Sequence, residues 1–376
     1  MSLFIQGVGA VSALGPNAAA TWAQLVAGSE APRKLLPNRG SGREYYYVPV
    51  PEKFVVEAGR QPRLRRSGTL SLMGTVAAYD ALADAGFQPD AQLGARCAVI
   101  YAICSGGMNY TRRFYHELVT QGANAASPML FPETVYNAPA SHLAALLKLD
   151  GQSYTLVGDS AVGLSAIHFA AQLLALQREL ELCIVVGTEE ADWILSDAFS
   201  SWRMATRDSD FEVFGKPKGT IFGEGAASVV LGRTHGISLV RSGPGLSFFS
   251  RRDALTAARQ VIASMIGGKV PDCVVASANG TFIDQIEEQV LRELLPATLV
   301  YGYKPALGEA LGASALFQTV FAALALRNQT LPGTRRDGRR LASVARESRT
   351  MKLDRALVTA VGFNQQVNSL LLGIAD

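Results

Sequence analysis

Ser160 lies in the run Tyr154-Thr-Leu-Val-Gly-Asp-Ser-Ala-Val-Gly-Leu-Ser-Ala-Ile-His168, which reads as a buried strand, a tight turn and an apolar helix. Ser160 opens that helix and presents its side chain to the positive helix end. Such an end lowers the pKa of a thiol enough to make a thiolate nucleophile. A serine hydroxyl starts too basic to be ionised by the same help and needs a general base. Histidine is scarce: His116, His142, His168 and His235 are the chain's four, so no imidazole lies beyond position 235. His168 falls two helical turns past Ser160 and points along the helix body, as a packed or hydrogen-bonded core histidine does. Cys97, Cys104, Cys183 and Cys273 sit in or beside apolar strand-like runs without metal-type spacing. They read as reduced core thiols, and neither a metal nor a cofactor is expected.

The elements that must position Ser160 follow an α/β pattern. Strand-like runs at Leu3 to Val11, Cys97 to Ile103, Tyr154 to Val157, Leu182 to Gly187 and Ala226 to Leu231 alternate with helical stretches near Ala18 to Ala27, Thr69 to Ala85, Ser141 to Lys148 and Ser165 to Leu176. After His235 the order begins again, with strands at Ile237 to Arg241 and Asp272 to Ala276, helices at Arg252 to Ile266, Ile283 to Leu294 and Leu311 to Leu326, and a closing strand at Arg355 to Val361. Arg96-Cys-Ala-Val-Ile-Tyr answers to Asp272-Cys-Val-Val-Ala-Ser, and Leu182-Cys-Ile-Val-Val-Gly to Ala356-Leu-Val-Thr-Ala-Val-Gly362. We therefore expect two similar halves, residues 1–235 and 236–376, packed as one body. The Ser165 to Leu176 segment lacks a polar stripe, which places it centrally and shields Ser160 from bulk water.

The chain has 376 residues, 48% of them hydrophobic and 18% charged, enough for two units around a shared interior. A net charge of +3 argues against a nucleic-acid partner. No apolar run reaches the ~20 residues a bilayer demands and the start has no basic n-region, so a cytoplasmic protein is expected. Basic residues cluster in two breaker-rich segments: Arg33, Lys34, Arg39, Arg43, Arg60, Arg63, Arg65 and Arg66, then Arg335, Arg336, Arg339, Arg340, Arg346 and Arg349.

Taken together, the motifs resemble those of the β-ketoacyl synthases of the thiolase fold over essentially the whole chain. The resemblance rests on Ile5-Gln-Gly-Val-Gly-Ala-Val-Ser-Ala-Leu-Gly15, Phe131-Pro-Glu-Thr-Val-Tyr-Asn-Ala-Pro139, Thr220-Ile-Phe-Gly-Glu-Gly-Ala-Ala227, and Lys304 with Gly308, Gly312 and Ala313. It implies a layered α-β-α-β-α body. In that family a cysteine thiolate takes the acyl group from an acyl carrier protein, and two histidines stabilise the enolate of the decarboxylating malonyl thioester. Carried over, the cysteine position is Ser160, the first histidine position Asn279 and the second Glu309, so all three are changed. Lys304, from the polar network behind the histidines, is placed to pair with Glu309 as a structural salt bridge. Gly223 and Glu224 resemble pocket loops of the family. Phe363, Asn364 and Gln365 stand where it has a glycine-rich acyl gate; side chains there admit a backbone less closely, and Phe363 reads equally as core packing. Ser105-Gly-Gly107 is a structural turn.

Three readings follow from the resemblance. The preferred one is a catalytically silent, chain-length-factor-like subunit that pairs with an active ketosynthase in a bacterial type II polyketide or fatty-acid-like pathway, aryl polyene assembly being one. Its partners would be that ketosynthase and an acyl carrier protein bearing an acyl chain. The alternative is a serine-dependent acyltransferase or thioesterase, with Ser160 as nucleophile, Glu309 as base and Asn279 as orienter or oxyanion donor. A binding or scaffold protein outside both pathways is the third; decarboxylative condensation by this chain alone is disfavoured, because a buried glutamate beside Asn279 would repel a malonyl carboxylate and, when ionised, donate no hydrogen bond. In the family the strand before the nucleophile, here Ser153 to Val157, runs along a dimer interface. The basic segments read as solvated loop faces, with docking of an acidic acyl carrier protein as the competing role.

Overall fold

The structure, a computed structural model, describes residues 2–36, 40–364 and 366–375, so Arg39 and Gln365 lie outside the described residues. Ten strands form one continuous path: Leu299–Tyr301, Cys273–Val275, Arg355–Val361, Gln366–Gly373, Ile237–Ser242, Phe4–Val11, Gly225–Gly232, Leu182–Glu189, Cys97–Ile103 and Ser153–Val157. From each outer end inward, the pairings run parallel, parallel, antiparallel, antiparallel. The same chain order of five strands thus occurs twice. The two sets pair where Phe4 and Ile5 meet Ser238 and Ile237, and Leu239 N–H donates to the Leu3 carbonyl beside them.

Helices layer the strands. Thr69–Asp84 covers the first set, while Arg251–Ile266 and Phe282–Leu294 cover the second. Between the sets lie Val162–Leu176 and Ser314–Asn328, the second of which is buried without a break from Ser314 to Leu326. A helix apolar on every face needs neighbours on every face, which is why both belong in the middle layer. Their N-terminal ends meet at Gly163, where a Cβ would stand 3.1 Å from the backbone nitrogen of Leu316. A layered α-β-α-β-α body of the thiolase type is what the sequence pattern leads one to expect. No helix among the described residues is long and apolar enough to cross a membrane.

The strands at Cys97–Ile103 and Arg355–Val361 fall where the apolar runs place them. Other boundaries need correction. Arg355–Val361 does not close the chain: Gln366–Gly373 follows and pairs antiparallel with it. Its apolar run Leu370 to Leu372 has no alternation, because a strand buried on both faces loses it. The helix expected at Leu311 begins as a 3-10 turn over Leu311–Ala313 and becomes α-helical at Ser314. Ser160 is in the turn two residues ahead of Val162 rather than in the first helical turn. The helices Met108–Gln121 and Trp193–Ser201 and the three-residue strand Leu299–Tyr301 carry patterns too exposed or too short for periodicity to mark.

Candidate functional site

Three segments converge at the N-terminal ends of the two central helices. Ser160 comes from the turn after Ser153–Val157, and Asn279 from the loop after Cys273–Val275. Lys304 opens the short helix Lys304–Leu307, and Glu309 follows it. Gly308 between them has φ +78°, a left-handed turn that glycine adopts without strain. All four side chains are buried, with exposures of 1% for Ser160 and 0% for Asn279, Lys304 and Glu309.

Glu309 is the hub. Its Oε1 accepts hydrogen bonds from the Ser160 hydroxyl at 3.1 Å, the Leu311 backbone N–H at 2.9 Å and the Ser314 hydroxyl. Its Oε2 accepts from the Asn279 amide at 2.8 Å and the Lys304 ammonium at 2.7 Å. Lys304 also donates to the Ser277 carbonyl at 2.7 Å. Thr281 donates to Asn279 Oδ1 at 2.7 Å, which turns the amide nitrogen toward Glu309.

Gly223 and Glu224 do not line an open pocket. Gly223 N–H donates to the Glu309 carbonyl at 3.0 Å, and a Cβ at Gly223 would fall 2.1 Å from the Leu307 carbonyl oxygen, so this glycine seats the Glu309 backbone. Glu224 accepts from the backbone of Val50 and Ala191 at 3.1 and 3.3 Å, and burial pushes its carboxyl up to about 7.

A cavity of about 550 Å³ opens beside the hub, lined by Val157, Asp159, Phe199, Trp202, Phe363 and Asn364 among others. Ser160, Asn279, Lys304 and Glu309 are absent from its wall. Phe363 meets Phe199 edge to face at 5.1 Å, and Asn364 N–H donates to Asp159 Oδ2 at 2.5 Å. Phe363 and Asn364 are thereby tied to Phe199 and to the serine turn.

Three buried acids escaped the sequence reading. Glu189 accepts from the backbones of Cys104, Ser105 and Gly312 at 3.0, 3.1 and 3.1 Å and from the Ser105 hydroxyl. Asp284 accepts from Asn279, Gly280 and Phe214 backbone N–H groups, fixing the Asn279 loop. Glu287 accepts from the N–H and hydroxyl of Ser277 and from the Thr359 hydroxyl. The signal for the last two was two acids on the otherwise apolar buried face of Phe282–Leu294. Burial pushes Glu189 and Asp284 up to about 7.

An acid whose folded pKa is raised binds more protons folded than unfolded, so stability falls as pH rises from the unfolded value toward the folded one. With Glu189, Glu224 and Asp284 at about 7 and unfolded carboxyls near 4.3, thermal midpoints should decline from about pH 4.5 to 7 and then level. Glu189→Gln should flatten this decline in thermal scans across that range. An unchanged slope would exclude Glu189 as a contributor.

The remaining residues take structural places. His168 Nδ1 meets the Ser242 hydroxyl at 3.1 Å, and His142 Nε2 lies 2.6 Å from Glu133. Burial pushes the Cys97, Cys183 and Cys273 thiols up to about 12 and Cys104 higher still. Among the described residues, no group of three or more His, Cys, Asp or Glu side chains is arranged to hold a metal ion. Much of the basic clusters is spent internally: Arg33 on Glu30, Arg336 on Glu30 and Asp210, and Arg346 on Asp337. Arg63, Arg65 and Arg66 are exposed.

Fold and site together define a thiolase-type ketosynthase scaffold. Residues 2–235 match the family described as "Beta-ketoacyl synthase, N-terminal domain", and the chain belongs to the β-ketoacyl synthase family. It is 26% identical to a 3-oxoacyl-[acyl-carrier-protein] synthase 2 of Rhizobium meliloti (strain 1021), covering 88% of this chain and 87% of that one. A synthase of the same name from Coxiella burnetii is 25% identical over 98% and 97% of the two chains. Among solved structures, "The ishigamide ketosynthase/chain length factor" superposes with a TM-score of 0.87 at 19% identity, over 100% of this chain and 99% of that one. "Ketosynthase (ApeO) in Complex with its Chain Length Factor (ApeC) from Xenorhabdus doucetiae" gives 0.81 at 19% identity, over 100% and 98%. At such identities these structures speak to the fold.

Proposed function

We propose that this chain is a non-condensing, chain-length-factor-like subunit that pairs with an active β-ketoacyl-ACP synthase in a bacterial type II polyketide or fatty-acid-like pathway, aryl polyene assembly being one candidate. In this reading residues 1–235 and 236–376 are the two thiolase-like halves. The supporting observation is the saturation of Glu309. Five donors occupy a carboxylate that offers about four lone-pair sites, and one of them is the Lys304 ammonium. With its lone pairs already engaged, Glu309 has little capacity left to take the Ser160 proton. No histidine stands at the site to bind a thioester carbonyl or an enolate.

Pairing is supported by the open flank. Ser153–Val157 is the end of the sheet path, and among the described residues no strand pairs with its outer side. Val157 is 56% exposed, and Phe131 and Tyr136 are exposed as well. An open strand edge with large apolar neighbours is a surface that a partner covers. The chain-length factors among the similar structures accord with this, and an acyl carrier protein is the second partner in this reading.

The 3.1 Å hydrogen bond between Ser160 and Glu309 favours the serine acyltransferase or thioesterase reading instead. Intact-mass spectrometry of the purified chain incubated with an acylated carrier protein separates the two. No mass increment on the chain, together with co-purification of a co-expressed ketosynthase, is expected. A stable acyl adduct lost in Ser160→Ala would replace the silent-partner reading with the enzyme.

A further inference from the structure

Glu309 is coordinated as a bound ligand would be. Its donors come from separate elements: a hydroxyl from the Ser160 turn, an amide from the Asn279 loop, the ammonium of Lys304, and the Leu311 N–H and Ser314 hydroxyl at the head of a central helix. The N-terminal ends of two fifteen-residue helices, Val162–Leu176 and Ser314–Asn328, lie at this point. Helix N-termini, a cation and converging neutral donors make up the donor set of an anion site, and here the anion is already present. The neighbouring acids are engaged elsewhere. Asp159 accepts from Ala161 and Asn364 backbones, and Glu287 from Ser277 and Thr359.

We propose that the cage is a carboxylate-binding site plugged by the protein's own Glu309, with a specificity for small monocarboxylates. The group beyond Cβ, one methylene and a carboxylate, has the size and charge of acetate. The cage grips only those atoms, so truncation at Cβ leaves a site that fits acetate. This holds whether or not the chain pairs with a ketosynthase.

The test is thermal unfolding of full-length Glu309→Ala titrated with sodium acetate, with sodium chloride at equal concentration as reference. Acetate should raise the variant's midpoint saturably by several degrees beyond chloride, as expected when an anion binds only the folded state. The wild type, whose site is filled, should respond alike to both salts. A folded Glu309→Ala that responds to acetate no more than to chloride overturns the proposal.

Should that variant not fold in low salt, refolding it in sodium acetate against sodium chloride at equal concentration keeps the proposal testable. Acetate should raise the folded fraction read by circular dichroism and chloride should not. Equal recovery in the two salts would overturn the proposal.

Discussion

Lys304→Met should lower the free energy of unfolding by about 3–5 kcal/mol, the usual cost of leaving one partner of a buried ion pair unmatched. Lys304 and Glu309 are 2.7 Å apart and both fully buried. Methionine matches the lysine stem in length, so packing changes little and the loss is electrostatic. Glu309 would retain its other four donors, but no cation would face it from within the cage. Denaturant titrations of the single variants and of Lys304→Met combined with Glu309→Gln form a double-mutant cycle. The double variant should be more stable than the sum of the single losses predicts, because a neutral pair no longer strands a charge. Strict additivity would mean that the two groups do not depend on each other.

The second large effect belongs to the proposed pairing and concerns turnover of this chain reconstituted with an active ketosynthase. Ser160→Ala in this chain should leave product formation within about twofold, whereas replacing the partner ketosynthase's nucleophilic cysteine by alanine should reduce it by at least about 10³-fold, the scale of losing a nucleophile that acts as part of a unit. The asymmetry follows from the environments: Ser160 is hydrogen-bonded to an anion already held by four other donors and sits outside the cavity wall. Product analysis by mass spectrometry with each variant pair is the measurement. A comparable loss with Ser160→Ala would assign chemistry to this chain.

The architecture was largely legible in the sequence because its core strands are unbroken apolar runs and its central helices have no polar face. Cys97–Ile103 and Arg355–Val361 needed only hydrophobic pattern to place. Met108–Gln121 has no buried residue, so nothing in its pattern recorded a core. The site was legible to the extent that Ser160, Asn279, Lys304 and Glu309 could be nominated, with Lys304 expected to pair with Glu309 and Ser160 to meet it in the alternative reading; the donors from Leu311 and Ser314 could not. Sequence order gives no account of which donor reaches which oxygen: Leu311 joins the cage through its backbone N–H, which residue type does not record, and Ser314 through a hydroxyl that only the start of the helix aims at Glu309. Asp284 and Glu189 act by holding backbone N–H groups, a role that leaves no spacing rule behind.

The five-donor cage around Glu309 also decides what single substitutions toward the family's cysteine and histidine pattern would do. A cysteine placed alone at position 160 would stand beside an anion, which raises a thiol's pKa where catalysis needs it lowered. A histidine placed alone at position 309 would leave Lys304 buried without its counter-ion. Each single step toward that pattern is uphill in reactivity or in stability, so positions 160, 304 and 309 are interlocked and can change only together.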